Sequence, residues 1–546
     1  MGAKTPHVVS DRTAEELEGI LCRLVAAVLG MPEVGPDDDM FDLDGDSLDA
    51  MRLTGLVRAE LGVELNIRAI FRSPTPRSMA AALAAAPAGR SERPAIEPVA
   101  RPDHVPLAYG QQGLWFLAHL WGPSPTYHLP VSVQLHGVVD RAALQLAWWD
   151  VLTRHEALRT VFPEVSGEAF QDVRDPAAAR PPLGGGTCLR SELDAVAHEA
   201  AQETFSITTE LPARAYLFTA VDAPDEHVLL IVVHHIAADG WSIRPLLRDL
   251  ERAYAARAAG AAPDWEPLPV QYADFTVWQR RWLGDARNPA DPLATQLAYW
   301  RRRLEGVPAQ LELPTDRPRP SSPSYRGAGV EVDINGELHQ RVVALARLTE
   351  TTVFMVVRAA LAALLSGCGA GSDIVLGTPV AGRDDAAVHD LVGLFVNMLV
   401  LRTDTGGDPS FRELLARVQA TDLEAYAHQD SPFDKVVEAL NPKRASGQHP
   451  LFQVVIAYGG QRLDPFEVPG LTGRATMVPT TVAKFDLALY LDDVPDEGTG
   501  PRGVRGTLEY ATDLFDRDTA ERLATGLVRL LDRATREPER PLSELA

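Results

Sequence analysis

The 546-residue sequence has few cysteines, no excess of positive charge and little long apolar sequence. Its three cysteines, Cys22, Cys188 and Cys368, have neither metal-ligand nor redox spacing, which indicates a reducing compartment without a disulfide framework. Lys and Arg total 52 against 75 Asp and Glu, so the formal net charge is -23 and a nucleic-acid partner is not expected. No apolar run suggests a membrane span, and the first residues lack the apolar core of a signal peptide. These absences predict a cytoplasmic protein with no membrane partner.

The first part of the chain is predicted to be a small helical domain. Residues 12–86 show helical periodicity and no strand pattern, which predicts a bundle of four short helices. Thr13 and Glu16 have capping-box spacing, so the first helix is expected to begin there. A second helix is predicted from Ser47 to about Leu61.

The rest of the chain is predicted to hold a linker and a larger domain. Residues 87–105 carry four prolines and almost no periodicity, which is typical of a semi-rigid extended linker. Helices and strands alternate beyond it, with a proline-rich irregular crossing at 313–327. This pattern predicts two α/β lobes, 106–280 and 281–546.

Two adjacent histidines end an apolar strand and precede a tight turn. His234 and His235 should point to opposite faces of the strand, which disfavours a shared metal ion. Asp239 and Gly240 form the turn, and Trp241 leads into the next helix. A histidine here could simply be bonded to backbone; alternatively, burial and the helix N-terminus would keep one imidazole neutral and able to accept a proton. Asp239 could orient that imidazole, or pair with an arginine and hold the turn.

Six sequence motifs occur in the same order as in a known family, and the segment with the two histidines is one of them. The segment at 234–240 is similar to HHxxxDG, the core motif of nonribosomal peptide synthetase condensation domains. Ala108, Gly110 and Gly113 depart from the first of the other motifs, and Met398 from the fourth. The five further matches are AYGQQGLWFL (108–117), RHEALRTVF (154–162), YADFTVW (272–278), VGLFVNMLVLR (392–402) and HQDSPFD (428–434).

The resemblance implies the chloramphenicol-acetyltransferase-like fold, with two lobes in a V and a tunnel between them. An acceptor amine would attack a donor thioester in that tunnel and form an amide. His235 would face the tunnel centre, either as general base or to position the amine. Arg383 is the expected partner of the motif's aspartate. The supporting motif positions are His234, Asp239, Gly240 and Trp241.

Ser47 stands where an acidic loop meets a helix, in FDLDGDSLDAMRL (41–53). On spacing alone, it could be an N-cap serine. The letters GDSL also suggest a hydrolase, but that family needs a preceding apolar strand and a later DxxH, and neither is present.

The same stretch resembles the FxxLGGxSL signature of peptidyl carrier domains. Asp44 replaces the first glycine, and the matching positions are Phe41, Leu43, Gly45, Ser47 and Leu48. The resemblance implies a 4'-phosphopantetheine ester on Ser47, which requires an exposed hydroxyl at a helix start where backbone N–H groups favour a phosphate. Residues 33–49 hold eight acids and no Lys or Arg, which suits either a solvated loop or steering of a basic modifying enzyme.

Together, the two resemblances imply a carrier–condensation didomain excised from a peptide synthetase. Its expected partners are a phosphopantetheinyl transferase, an upstream adenylation domain and a downstream aminoacyl carrier as acceptor. A donor ending in an L-residue or glycine is expected, although Asp46 beside Ser47 is commoner before epimerisation domains. The alternative function is a catalytically silent condensation-like domain that recruits partner enzymes; such domains usually lose the histidine pair.

Overall fold

The computed structural model describes residues 12–43, 45–85, 93–442, 448–459, 463–478, 481–494 and 502–545. Asp44 and residues 87–92 of the predicted linker lie outside them. The first described unit contains the predicted helices: α1 (Ala14–Leu29), α2 (Ser47–Leu61), α3 (Ile67–Arg72) and α4 (Pro76–Ala85).

The helical domain follows the local signals of its sequence. The Thr13 side chain accepts a hydrogen bond from the Glu16 N–H, and the Glu16 carboxylate accepts one from the Thr13 N–H, so the predicted capping box is present. Gly30 ends α1 at φ 67°, a left-handed conformation that favours glycine. The apolar faces of α1 and α2 are buried against each other, including Val25 and Leu53.

Residues 93–105 are extended, as expected, and are packed on the following domain. The Arg93 guanidinium lies 5.1 Å from the Trp278 ring centroid, and Trp278 Nε1 donates to the Pro94 carbonyl at 2.9 Å. Arg101 forms a two-point ion pair with Asp274, with both N–O distances 2.9 Å. The described part of the linker is therefore fixed to the first lobe.

The helices and strands of the larger domain alternate along the chain. The first lobe contains β1 (Val105–Pro106), α5 (Tyr109–Trp121), β2 (His128–Gly137), α6 (Arg141–Arg154), β3 (Thr160–Val161), β4 (Glu164–Val165), β5 (Glu168–Val173), β6 (Thr187–Cys188), α7 (Leu193–Ala201), β7 (Ala213–Ala220), β8 (Glu226–His234), α8 (Ile243–Ala258) and α9 (Tyr272–Leu283). The second half contains α10 (Pro292–Arg303), β9 (Gly327–Ile334), α11 (Gly336–Leu348), α12 (Val353–Leu365), β10 (Asp373–Val380), β11 (Asn397–Asp404), α13 (Phe411–Tyr426), α14 (Phe433–Leu440), β12 (Val454–Tyr458), β13 (Phe466–Val468), β14 (Leu471–Met477), β15 (Leu487–Asp493), β16 (Val504–Ala511), α15 (Arg517–Arg536) and α16 (Leu542–Leu545).

Two mixed sheets form the cores of the two lobes. One has the order β11-β10-β12-β15-β16-β9, with the parallel strands β10, β12 and β15 side by side. The other has the order β13-β14-β2-β8-β7-β6, and the described residues of β8 are buried almost throughout. A small sheet of β1, β5, β3 and β4 flanks the first lobe. The central strands are buried on both faces because helices cover them.

The predicted lobe boundary between residues 280 and 281 is wrong for one segment. Strands β13 and β14 come from the second half of the chain, yet β14 pairs antiparallel with β2, with Ala475 opposite Val133. The chain then returns to the second sheet at β15. Periodicity could not reveal this crossing, because it identifies a strand without identifying the sheet that the strand joins.

The expectation that no apolar segment could span a membrane is also corrected. The helical stretch Val353–Ala370, which includes α12, is long and apolar enough to do so. However, 67% of it is buried inside the lobe, between α13 and α15. A buried core helix has the same composition as a spanning helix, so the feature is explained by packing.

Candidate active site and carrier serine

The segment from His234 to Ser242, called the histidine turn below, connects β8 to α8. The His235 N–H donates to the Tyr127 carbonyl at 2.7 Å, which fixes the backbone as the strand ends. The Ala237 N–H then donates to the His234 carbonyl at 2.9 Å and closes a tight turn. Asp239 caps the short 3-10 helix that follows by accepting from the Ser242 N–H at 2.9 Å.

Asp239 holds the histidine turn against the second half of the chain. Its side chain is fully buried, and Oδ2 accepts the N–H groups of Phe395 at 2.8 Å and Val396 at 3.1 Å. Arg383 Nη2 lies 3.0 Å from Asp239 Oδ1, which is the pairing that the sequence suggested. Arg383 also donates to the Ser242 hydroxyl at 2.8 Å. Because these contacts join two halves of the chain, the turn is fixed relative to both lobes.

The first histidine points into the first lobe. His234 is buried, and its Nδ1 accepts the Ile236 N–H at 3.1 Å. Its ring packs edge-on against His128 and Phe205, with centroid separations of 6.1 and 6.2 Å. Burial first, and then the neighbouring imidazoles of His128 and His235 and the charge of Lys484, lowers the pKa of His234 to about 3. His234 therefore stays neutral and supports the turn.

The second histidine is half-buried and is also neutral. Burial first, and then the charge of Lys484, lowers the pKa of His235 to about 4, while Asp239 acts in the opposite direction. His235 Nδ1 is buried and has no hydrogen-bond partner among the described residues. Asp239 is engaged by Arg383 and by backbone N–H groups, so its charge only partly offsets the effects of burial and of Lys484 on His235. The imidazole can therefore act as a hydrogen-bond acceptor across the neutral pH range.

One cavity lies between the carrier domain and Trp241, the residue of the histidine turn that lines it, whereas His235 is not part of its wall. It has a volume of about 450 Å³, and its wall includes Trp241 of the turn and Ser47 of the carrier. A Cβ built on Gly240 would have no neighbour within 4 Å, so the backbone beside Trp241 is open. Other residues of the wall include Met51, His339, Thr378, Tyr426 and Asp493. The sequence did not indicate that Ser47 and Trp241 would share a cavity.

Ser47 differs from its predicted setting in two ways. It is the first residue of α2 and not the cap: Asp46 is the N-cap and accepts the N–H groups of Leu48 and Asp49. Its hydroxyl was expected to be exposed, but Ser47 is only 5% exposed, because the carrier lies on the second lobe. Ser47 Oγ lies 3.2 Å from Thr352 Oγ1, at the start of α12.

The contact between the carrier and the second lobe, called the carrier seam below, is built around α2. A Cβ on Gly55 would lie 1.4 Å from the Asp384 carbonyl oxygen, so the two backbones meet where only glycine fits. Arg347 Nε lies 2.9 Å from Asp42 Oδ1 at the edge of the seam. A further ion pair, Arg68 with Glu424, has a separation of 3.4 Å.

Two acidic residues beside Ser47 are enclosed by the carrier seam. Burial raises the pKa of Asp46, and burial together with the charge of Asp46 raises the pKa of Asp49 to about 7. Asp493 of the second lobe adds a further negative charge near Asp46. The Tyr458 hydroxyl donates to Asp493 at 2.7 Å. The acidic loop is therefore partly buried in the seam, while its proposed steering of a modifying enzyme stays a prediction.

Three site residues were not identified from the sequence. Thr352 and Tyr426 flank Ser47 but lie more than 300 positions away in the chain. Lys484 lies near His235 but belongs to a segment between two late strands. Only the fold brings these residues together, so no local pattern could have indicated them.

Family models cover most of the chain. The Condensation domain model matches residues 101–546, and the Phosphopantetheine attachment site model matches residues 20–83. Both matches agree with the two units of the structure.

Among curated relatives, a dimodular nonribosomal peptide synthase of Bacillus subtilis is 47% identical over 98% of this chain and 22% of its own length. An isonitrile lipopeptide synthase of Mycobacterium tuberculosis is 42% identical over 94% of this chain and 20% of its own length. The chain thus spans about a fifth of these relatives.

Solved structures have the same fold. The X-domain from teicoplanin biosynthesis superposes with a TM-score of 0.77 at 36% identity, over 83% of this chain and all of that domain. Another structure of that X-domain is a complex with OxyB. The first condensation domain of the calcium-dependent antibiotic synthetase superposes with a TM-score of 0.64 at 19% identity, over 81% of this chain and 98% of that domain, which shows the fold alone.

Proposed function

The chain belongs to the nonribosomal peptide synthetase condensation-domain family and carries a phosphopantetheine-attachment domain before it, and we propose that it joins a donor held on Ser47 to an acceptor amine. One observation carries this proposal: Ser47 of the carrier and Trp241 of the histidine turn line the same cavity of about 450 Å³. The docked carrier would therefore deliver its donor in cis, in the cytoplasm. A tethered donor makes the reaction effectively intramolecular.

The residues around Ser47 fit a phosphopantetheine group. The Ser47 hydroxyl is in the cavity wall, and Thr352 and Tyr426 offer hydroxyl groups beside it. The N–H groups of Leu48 and Asp49 at the start of α2 are already bonded to the Asp46 carboxylate, so a phosphate on Ser47 would be held by these hydroxyl groups and not by the helix N-terminus. When bound, the group supplies a thiol on a flexible arm, on which the donor is an activated thioester.

His235 is proposed to act on the attacking amine. Its Nδ1 is buried, so Nε2 is the nitrogen that would accept a hydrogen bond from the amine. A bond forms between the amine nitrogen and the donor carbonyl carbon, the carbon–sulfur bond breaks, and the amine proton passes through Nε2 to the leaving thiolate. In this scheme, Asp239 and Arg383 hold the turn, and Gly240 leaves its backbone accessible.

The proposed partners follow from the same scheme. A phosphopantetheinyl transferase would modify Ser47, an upstream adenylation domain would supply the donor, and a downstream aminoacyl carrier would present the acceptor. Each is inferred from the reaction that the two domains support.

A second candidate function is recruitment of a partner enzyme without amide formation. It is favoured by the likeness to the X-domain, which has been solved in complex with OxyB. His234 and His235 are both retained in this chain, which supports the catalytic function instead.

The test separates these two functions. Didomain loaded with a donor on Ser47 is mixed with a separately loaded acceptor carrier, and the amide product is measured by mass spectrometry. The wild-type chain is expected to form product, His235→Ala to lose it by roughly 100-fold or more, and Ser47→Ala to remain unloaded but folded. Equal product from wild type and His235→Ala would overturn the role of His235, and loading without product from the wild type would favour recruitment.

A further inference from the structure

Lys484 lies where the chain returns from the first sheet to the second. Residues 481–486, which lead into β15, are fixed by the Ala483 N–H, which donates to the Tyr325 carbonyl at 2.9 Å. Two residues later, Arg319 Nη1 donates to Asp486 Oδ1 at 2.8 Å. Backbone bonds and an ion pair therefore hold Lys484 on both sides, at the boundary between the lobes.

The ammonium group of Lys484 faces the histidine turn. Its Nζ lies 5.1 Å from the ring centroid of Tyr127, and the carbonyl of the same Tyr127 accepts the His235 N–H at 2.7 Å. Lys484 and His235 therefore contact one residue from two sides. A cation over an aromatic face is attracted to the ring, so Tyr127 stabilises Lys484 in this position.

Lys484 has no bound counter-ion in the part of the chain that the structure describes. No carboxylate there lies within ion-pair distance of its Nζ, although the charge of Glu509 on β16 acts on it from further away. Lysine ammonium groups that are taken out of water are usually paired with a carboxylate. An unpaired lysine fixed beside a reactive imidazole is therefore a candidate for a role in the reaction.

The charged groups around His235 indicate how Lys484 would act in the reaction. Asp239 is the anionic neighbour, but it is engaged by Arg383 and by backbone N–H groups. The other titratable neighbours are His234 on the same segment and Lys484 from the second half of the chain. Since a fixed positive charge opposes a second one nearby, Lys484 disfavours protonation of His235.

We propose that Lys484 is a positioning residue for amide formation, whose ammonium group, held over Tyr127 at the lobe boundary, acts together with burial to keep the His235 imidazole unprotonated and available to the acceptor amine. The proposal rests on the proposed function. The same charge would also favour the neutral form of an amine bonded to His235, and only the neutral amine is nucleophilic.

The experiment compares Lys484→Met, which removes the charge, with Lys484→Arg, which keeps it. Single-turnover amide formation is measured from pH 4 to 9 with each loaded didomain. Lys484→Met is expected to move the acid limb of the profile upward by roughly one pH unit, and Lys484→Arg to keep the wild-type limb. Identical acid limbs in all three proteins would overturn the proposal.

A second measurement distinguishes failure of the Lys484 proposal from failure of the proposed function. The ring of His235 is titrated by NMR in ¹³C-histidine-labelled protein, with His235→Gln used to assign its signal. A raised pKa of His235 in Lys484→Met and in Lys484→Gln, but not in Lys484→Arg, would support the interaction whether or not product forms. An unchanged pKa in both neutral variants would overturn it, while a wild type that forms no amide would count against the proposed function alone.

Discussion

The histidine turn and the carrier seam meet at one cavity but are held in opposite ways. Asp239 and Arg383 are buried at 0% and 6% exposure and are joined by a network of charged hydrogen bonds. The described part of the seam is instead held by the hydroxyl contact between Ser47 and Thr352, by the close approach of Gly55 to Asp384 and by ion pairs at its exposed edge. A permanent site suits the group that must stay in place during catalysis, and a weaker contact suits a carrier that must leave to be loaded.

The largest expected effect comes from breaking the buried pair. Arg383→Leu leaves Asp239 charged and partly unpaired, so the free energy of unfolding should fall by about 3–5 kcal/mol. Urea denaturation would measure the change. Arg287→Leu is the control, because its pair with Asp285 is on the surface and its loss should have no measurable effect. Equal stability of the two variants would show that the turn is not held as described.

The second-largest effect is expected on the pH dependence of the free energy of unfolding. Burial lowers the pKa of His234 to about 3 and that of His235 to about 4, whereas an unfolded histidine titrates near about 6.5. The unfolded chain therefore binds these protons first, and their contribution to stability is lost as the pH falls from about 6.5 toward 4, by up to about 1.4 kcal/mol per pH unit for each histidine. His234→Gln should reduce that slope in urea denaturation. A slope identical to that of the wild type would contradict the burial of a neutral His234.

The carrier seam can be opened at its closest point. Gly55→Leu has no room against Asp384, and overpacking of about 1–3 kcal/mol should slow transfer in cis by roughly tenfold or more. Modification of Ser47 by the transferase should become faster, because the seam hides that hydroxyl. Gly19→Leu on α1 is the matched control, since a Cβ there meets nothing within 4 Å. If both variants behave alike, the seam does not form in solution.

The smallest effect on carrier docking is expected from a substitution at the edge of the carrier seam. Arg347 and Asp42 are 45% and 59% exposed, so Arg347→Ala should weaken docking by only about 0–1 kcal/mol. The accompanying increase in Ser47 modification rate should disappear in 1 M salt, where the wild-type pair is screened as well. Arg174→Ala, which removes a similarly exposed pair with Asp172 in the first lobe, is the control. An effect larger than that of Gly55→Leu would reverse the assigned roles of edge and centre.

The parts predicted well from the sequence depend on local signals. The capping box at Thr13, the start of α2 at Ser47 and the buried strand before His234 follow from spacing and periodicity, and the structure confirms them. The motif match also suggested that Asp239 would meet Arg383, a contact across 144 positions.

The parts that were wrong or missed depend on how distant segments meet. The exposure of Ser47 was wrong because the carrier packs on α12, and β14 was assigned to the wrong lobe because strand pairing is not encoded locally. Thr352 and Lys484 were missed for the same reason. The carrier seam could therefore be identified only from the structure, whereas most of the histidine turn could be predicted from its sequence motif.

The most direct test follows the donor on the chain itself. Didomain carrying a donor on Ser47 is mixed with excess acceptor carrier, and intact-protein mass is recorded over time at several didomain concentrations. If the docked carrier delivers in cis, the donor mass is lost while the arm remains, at a rate that does not depend on didomain concentration. A rate proportional to that concentration, or a donor that stays on Ser47, would contradict the account.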